Sequence, residues 1–305
     1  MLTIEFKTMG CHARAVLDAE GAPASAALDG LPAWFATRER ILSRFEPESD
    51  LTRLNARGAA EHLDDVLWEA IDVALGAALA SDGLVTPTIL SALEAAGYDR
   101  SFDGLPRDQP GALATALAAP DWRDIERDPT RRGVRLPPGL RLDLGGTAKG
   151  WSADLAASSL ARFGPALVDL GGDIAAASAP RSPWPIAVED PRGAREPLDV
   201  VLLRGGGIAT SGQDFRWWTR SGRKQHHLID PRTGAPARTD VVTATVIAPS
   251  ALDAEIAAKR LLLCGSRGGM AWLECHAELA ALVVREDGQV LRSARFAGHT
   301  WRDVA

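Results

Sequence analysis

The run Leu142-Asp143-Leu144-Gly145-Gly146-Thr147-Ala148-Lys149-Gly150-Trp151-Ser152-Ala153-Asp154 constrains this chain more than any other stretch. It reads as the end of a strand, a glycine turn and the first turn of a helix that continues through Leu155 and Leu160. Glycine lets the backbone approach a ligand closely, and the unpaired N–H groups and dipole at a helix start favour an anion. The same spacing also serves a plain tight connection, so the stretch alone leaves both readings open. Ala166-Leu167-Val168-Asp169-Leu170-Gly171-Gly172-Asp173-Ile174 repeats the scheme of a strand followed by Gly-Gly, and two such turns can lie side by side.

With 305 residues the chain can form one large domain or two modest ones, with a core that needs neither disulfide nor metal. A formal net charge of −6 advertises no basic surface, which argues against nucleic acid and anionic lipid as partners. Cys11, Cys264 and Cys275 form no CxxC pair; Cys264 follows three leucines and reads as a buried apolar residue, so a reducing compartment is the default. No charged leader precedes an apolar run, and no stretch approaches the length of a membrane span. A soluble, cytoplasmic protein without stable membrane insertion is expected.

Along the chain, Leu2 to Glu20 alternates as a strand or hairpin, with a bulge or kink at Met9-Gly10. A helix is predicted over Leu31 to Phe45 and stopped by Pro47, after which Ser49 or Asp50 caps a short turn ending at Asn55. Residues 61–80 predict a second helix, and Thr86-Pro87-Thr88-Ile89-Leu90 starts a third that ends at Gly97. Asp99 to Gly139 reads as a surface excursion, broken by a short Leu113 to Ala119 run. Short antiparallel strands follow at Pro185 to Pro191 and Leu198 to Leu203, and Ile208 to Gly212 brings hydroxyls to a strand end.

Gln225-His226-His227-Leu228-Ile229-Asp230-Pro231-Arg232-Thr233-Gly234 gathers polar groups round another turn, as packing or as a site. Val241 to Ala248 is a β-branched strand, and Ser250 caps a helix from Leu252 to Cys264 that Gly265 ends. On it Glu255 and Lys259 are four apart and share a face, as a salt bridge would need. Two last strands, Leu279 to Val284 and Val290 to Phe296, join at Asp287-Gly288. The amino half is helix-rich and the carboxyl half mostly β.

In this order the motifs resemble those of the FAD:protein FMN transferase, or ApbE, family, from Met9-Gly10 to Gly265. The resemblance rests on Asp143, Gly145, Gly146, Ala148, Lys149, Gly150 and Asp154; on Gly171-Gly172-Asp173; on Thr210-Ser211-Gly212; on His227-Leu228-Ile229-Asp230-Pro231-Arg232-Thr233-Gly234; and on Ser43, Ser49, Leu54 and Asn55. It implies an α+β fold: a single domain over residues 1–305, with a helix-rich part mainly in 25–130, a mostly antiparallel β-rich part mainly in 1–20 and 134–305, and a flavin cleft between them. It implies an enzyme that moves the FMN half of FAD onto a threonine hydroxyl of a target flavoprotein and releases AMP. By the same resemblance FAD contacts fall on Asn55, Gly145, Gly146, Ala148, Lys149, Asp154, Gly172, Asp173, Thr210, Ser211, Gly212, Asp230 and Thr233. The candidate catalytic residues are His227, which activates the hydroxyl or positions the phosphate, and Lys259. Members use a divalent cation, for which Mg2+ suits oxygen ligands; here the matching ligands are the Ala148 carbonyl and Glu255.

The chain departs from that pattern on its late helix. Where the family has an aspartate and a threonine, this chain has Glu255 and Lys259. Glutamate moves its oxygens by roughly an ångström or more, and a protonated lysine is no metal ligand. Either Lys259 partly replaces the cation, or it pairs with Glu255 and the metal site is lost; Asp253 as the metal carboxylate would face about 200° away. The substitutions motivate two alternative functions, a flavin carrier with weak or no transferase activity and an FAD pyrophosphatase. Tyr98, Trp217 and Trp218 read as packing aromatics rather than flavin contacts.

Overall fold

The computed structural model describes residues 1–111, 115–179 and 182–301. Its helices are α1 (Ala22–Asp29), α2 (Leu31–Leu42), α3 (Asp50–Arg57), α4 (Asp65–Ala80), α5 (Leu90–Ala95), α6 (Ala148–Leu160) and α7 (Ala251–Glu274). The long strands are β1 (Leu2–Thr8), β2 (Cys11–Leu17), β3 (Ala166–Leu170), β4 (Asp173–Ala177), β5 (Gly206–Gly212), β6 (Val241–Ala248), β7 (Ala280–Arg285) and β8 (Val290–Arg292). Two compact units divide the chain. One comprises Met1–Trp34, Lys149–Asp214 and Thr239–Ala305, the other Phe35–Ala148 and Phe215–Arg238.

In the first unit, and among the described residues, β1 to β8 form one sheet in which sequence order is also spatial order and every neighbouring pair is antiparallel. Alternation explains it: β1 and β2 join through Met9 and Gly10, both at positive φ (+48° and +65°), so the expected kink is the turn itself. Ile208, Ile247, Leu282 and Val284 pack with a hairpin of Trp184–Val188 and Asp199–Leu203, and with Phe296, in one apolar cluster. Helix α7 lies against β5 and β6, burying Ala254, Ala258, Leu261 and Leu262. Helix α6 approaches α7 so closely that a Cβ on Gly150 would stand 2.8 Å from the Ala251 carbonyl oxygen, and only glycine fits.

The second unit carries α3, α4 and α5 with short strands. Its cluster of Leu93, Ala96, Tyr98, Leu105, Trp218 and Ile229 is fully apolar apart from the Tyr98 hydroxyl and the Trp218 indole N–H, and the indole donates to the Ala96 carbonyl at 2.8 Å. Trp218 is 0 % exposed and lies 5.5 Å from the Tyr98 ring, so both serve as packing aromatics.

Several sequence expectations are corrected. Leu142 to Leu144 is not a strand, because its backbone is held from elsewhere: Leu142 on Asn55 and Asp143 N–H on the Pro87 carbonyl. The helix predicted to reach Phe45 stops at Leu42 and is preceded by α1, which has no side-chain cap to announce it. The third predicted helix opens as a 3-10 turn, Pro87–Ile89, with Thr86 as its cap, and becomes α-helical only over Leu90–Ala95. The predicted 61–80 helix begins at Asp65, with Asp64 as cap. The turn capped by Ser49 is a helix running on to Arg57. Gly265, at φ +74°, breaks the helix as expected, yet the chain resumes helical structure to Glu274. The last strand ends at Arg292, and Phe296 lies in a 3-10 turn. Cys264 is half-buried rather than buried. Within the Leu113 to Ala119 run, residues 113 and 114 lie outside the described residues.

Candidate functional site

In the sheet-bearing unit the sequence-marked residues gather round one buried carboxylate. Glu255, on α7, is 1 % exposed. Its Oε1 accepts from Lys259 Nζ at 2.8 Å, one turn along the same helix, and its Oε2 accepts from the Gly150 N–H of α6 at 3.0 Å. Lys149 Nζ stands 3.9 Å from Glu255 Oε1 and forms an ion pair with Asp173. Asp173 is itself buried, the first residue of β4 after the turn of Gly171 (φ +64°) and Gly172 (φ +97°). Two ammonium groups and two carboxylates thus meet where water has little access, and each sign offsets the other. Burial first, then the Asp173 charge, pushes the Glu255 carboxyl above the usual carboxylate range, while Lys259 and Lys149 pull it back.

Asp154, one turn further along α6, accepts from the Ala251 N–H at 2.8 Å and the Leu252 N–H at 3.0 Å. It therefore caps α7 and holds Glu255 and Lys259 in place; burial raises its carboxyl. Asp169, raised by the same cause, accepts from the Gly172 N–H at 2.8 Å. Thr210 and Ser211 close β5, with Thr210 Oγ1 and Thr245 Oγ1 sharing a hydrogen bond of 2.8 Å and Ser211 buried ahead of Gly212.

The helix-rich unit holds the remaining sequence-marked residues in two places. Asn55, on α3, spends both ends of its amide on Leu142: Nδ2 donates to the carbonyl at 2.8 Å and Oδ1 accepts from the N–H at 2.7 Å. The Gly145 N–H goes to Asp143 Oδ1 at 2.9 Å and the Ala148 N–H to the Leu144 carbonyl at 2.9 Å, so the Gly145-Gly146 turn is pinned from within. Asp143 is ion-paired with Arg44 at 2.5 Å. Arg44 donates to the Tyr98 carbonyl at 2.8 Å and lies over the Phe45 ring at 4.1 Å. Sequence reasoning missed Arg44; its only signal was an arginine beside an aromatic within the Ser43 to Asn55 element.

The second place is the turn after the strand Arg223–His226. His226 is buried, and the Leu228 N–H points at its Nδ1 at 3.3 Å. Nδ1 must therefore accept, which puts the proton on Nε2, where it is donated to the Ala237 carbonyl at 3.0 Å. Burial holds this imidazole neutral, its pKa pushed down to about 4. His227 has the opposite tautomer. Its Nδ1 lies 3.4 Å from the Arg216 carbonyl, which can only accept, so this contact puts a proton on Nδ1 and, in the neutral ring, leaves the lone pair on Nε2. Asp230 takes a two-pronged pair from Arg232, 2.9 Å from Nε and 2.8 Å from Nη2, and its carbonyl accepts from the Thr233 and Gly234 N–H groups.

The residues at the expected cation position do not fit a magnesium ion. Mg2+ takes six oxygen ligands in a near-octahedral shell. Both oxygens of Glu255 already accept from N–H donors, and the ammonium of Lys259 occupies the place of a second oxygen ligand. Among the described residues no group of three or more His, Cys, Asp or Glu side chains is arranged to hold a metal.

Sheet and site together define an α+β protein of the flavin-transferase type of architecture, with a lysine–carboxylate cluster beside a glycine turn. The chain belongs to the ApbE family, whose model matches residues 9–283. The FAD:protein FMN transferase of Treponema pallidum is 31% identical to it over 308 residues, covering 93% of this chain and 84% of that protein. That of Vibrio cholerae is 29% identical, covering 81% and 75%. The ApbE protein of Thermotoga maritima superposes with a TM-score of 0.87 at 25% identity over 98% of each chain. The flavin transferase ApbE of Vibrio cholerae, at 21% identity and a TM-score of 0.79 over 98% of each chain, shares the fold.

Proposed function

We propose that this chain is a cytoplasmic FAD:protein FMN transferase, its 305 residues acting as one ApbE-like domain on a target flavoprotein with an acceptor threonine. The observation that carries this reading is the likeness to a protein of that name across 93% of the chain. In the reaction the threonine oxygen forms a bond to the phosphorus on the FMN side of the FAD diphosphate. The bond from that phosphorus to the bridging oxygen breaks, and AMP leaves with the bridging oxygen and its electron pair. The hydroxyl proton goes to a base, a role that suits His227, whose Nε2 carries the lone pair because Nδ1–H is donated to Arg216.

The other side chains position groups and balance charge, which is most of what phosphoryl transfer asks of a protein. Gly145, Gly146, Ala148, Gly172, Thr210, Ser211, Gly212 and Thr233 are proposed as FAD contacts. Asn55 and Asp230 hold the backbone beside the Gly145-Gly146 turn and Thr233, Asp154 caps the helix that carries Glu255 and Lys259, and Lys149 with Asp173 supplies an ion pair. No step is routed through a metal, because the donor set at Glu255 does not fit one.

The test is to incubate the purified chain with FAD and a candidate flavoprotein, following acceptor mass and AMP together. Acceptor gaining FMN with one AMP released per flavin is the expected result. AMP without flavinylation would make the chain a pyrophosphatase, and tight FAD binding with neither product would make it a carrier. His227→Asn should lower the transfer rate by about 10²–10⁴-fold while leaving FAD affinity within a few fold.

A further inference from the structure

We propose that this family member carries its own cation: the Lys259 ammonium supplies the positive charge at the diphosphate, and flavin transfer proceeds without a divalent metal. The inference deepens the functional reading above and rests on it. Three observations meet at one point. The Lys259 side chain is 16% exposed, so its ammonium is shielded but not sealed from a ligand. Its location is fixed by Glu255 Oε1 at 2.8 Å, and among the described residues this is the hydrogen bond that Nζ donates. An ammonium has three N–H groups, so two donors remain for phosphate oxygens.

The anchor is fixed as well. Glu255 cannot turn toward another cation without giving up the Gly150 N–H on Oε2. A dication placed on Glu255 would also sit beside the Lys259 ammonium, with Lys149 Nζ 3.9 Å from the same carboxylate oxygen. Like charges at that range, away from bulk water, exclude one another. Lysine is a sound substitute in this chemistry, since it binds phosphate as a point charge. When the bond from the FMN phosphorus to the bridging oxygen breaks, the negative charge that grows on the departing AMP is met by an ammonium already in place.

The experiment has a binding arm and a rate arm. Mg2+ alone is titrated calorimetrically into wild type, Lys259→Thr and Lys259→Met. Wild type and Lys259→Met should give no saturable heat, while Lys259→Thr, which frees Glu255 and adds a hydroxyl oxygen, should bind Mg2+ at least about tenfold more tightly than wild type. Saturable Mg2+ binding by the wild type that is lost in Glu255→Gln would overturn the proposal. In the rate arm, wild-type flavin transfer should be equal within about twofold in EDTA and in millimolar Mg2+. A rate abolished by EDTA and restored by Mg2+ would also overturn it. Lys259→Met should lose at least about a hundredfold in rate and Lys259→Arg should recover most of it; a Met variant that transfers at the wild-type rate would remove the lysine from the account. If neither buffer supports transfer, the functional reading fails while the Mg2+ titration still decides the cation.

Discussion

Glu255 in the sheet-bearing unit and His226 in the helix-rich unit are both buried polar groups, yet they are stabilised in opposite ways. Glu255 sits among charges and is matched by them: one ammonium at 2.8 Å, another at 3.9 Å, and a backbone N–H. His226 sits among backbone groups and is matched by staying neutral, with one ring nitrogen donating and the other accepting. The first arrangement tolerates burial only while every member is present. The second tolerates it only while no proton is added. The Glu255 cluster uses the first design; the turn that carries His227 uses the second, which orders the backbone without adding charge.

The largest expected effect is therefore on the charged design. Glu255→Ala leaves the Lys259 ammonium without its carboxylate and the Gly150 N–H without its acceptor. Removing one partner of a buried pair costs about 3–5 kcal/mol, read as a shift in urea-unfolding free energy at neutral pH. A loss below about 1 kcal/mol would mean that water screens the cluster and that the contrast with His226 is not one of design. Next in size is an acid effect on the neutral design. With a folded pKa of about 4 against the ordinary 6.5, the unfolded chain takes up a proton that the folded chain refuses. The His226 contribution is thus unaffected above pH 6.5, and stability falls as pH drops from 6.5 toward 4, by up to about 3 kcal/mol below that. His226→Gln should remove that slope relative to wild type when unfolding is measured at pH 7, 5.5 and 4.5. An unchanged slope would show that the imidazole reaches water and protonates in place.

These two designs were unequally legible in the sequence. The i, i+4 spacing announced the Glu255–Lys259 pair, and the β-branched run and Ser250 announced β6 and the start of α7. The pairing of Lys149 with Asp173 was not legible, because it joins the first turn of α6 to the start of β4, 24 positions on. Leu142 to Leu144 misled for the same kind of reason: an alternating apolar run looks like a strand until Asn55, 87 positions away, takes its backbone. At Gly265 the local signal for a helix end was right. The restart was hidden, since its cap is Asp240, whose Oδ1 accepts the Ser266 N–H at 2.8 Å from 26 residues upstream. Of the histidine pair, the motif marked His227; the role of His226 appeared only once the backbone groups around it were in place.

Asp154 is the intermediate case, and the smallest effect belongs to it. It is a half-buried carboxylate in the charged unit, but it is satisfied by backbone: Oδ1 takes the Ala251 N–H and Oδ2 the Leu252 N–H. Burial disfavours its charge and raises its carboxyl, and those two N–H groups offset part of that. Asp154→Asn keeps one acceptor and turns an NH2 toward the other N–H, so it should cost about 1 kcal/mol. Asp154→Ala loses both bonds and should cost about 1–2 kcal/mol, a bounded loss because Ser250 Oγ independently accepts the Asp253 N–H at 3.0 Å and keeps α7 capped. Chemical denaturation of the two variants reads what separates them. If Asn and Ala cost the same, Asp154 contributes through its charge at the start of α7, as Glu255 does within its cluster. If Asn is nearly neutral, it contributes through hydrogen bonds, as His226 does. In either case, a fall in flavin-transfer rate larger than the stability loss would show that the cap sets where Glu255 and Lys259 stand, because α7 carries both.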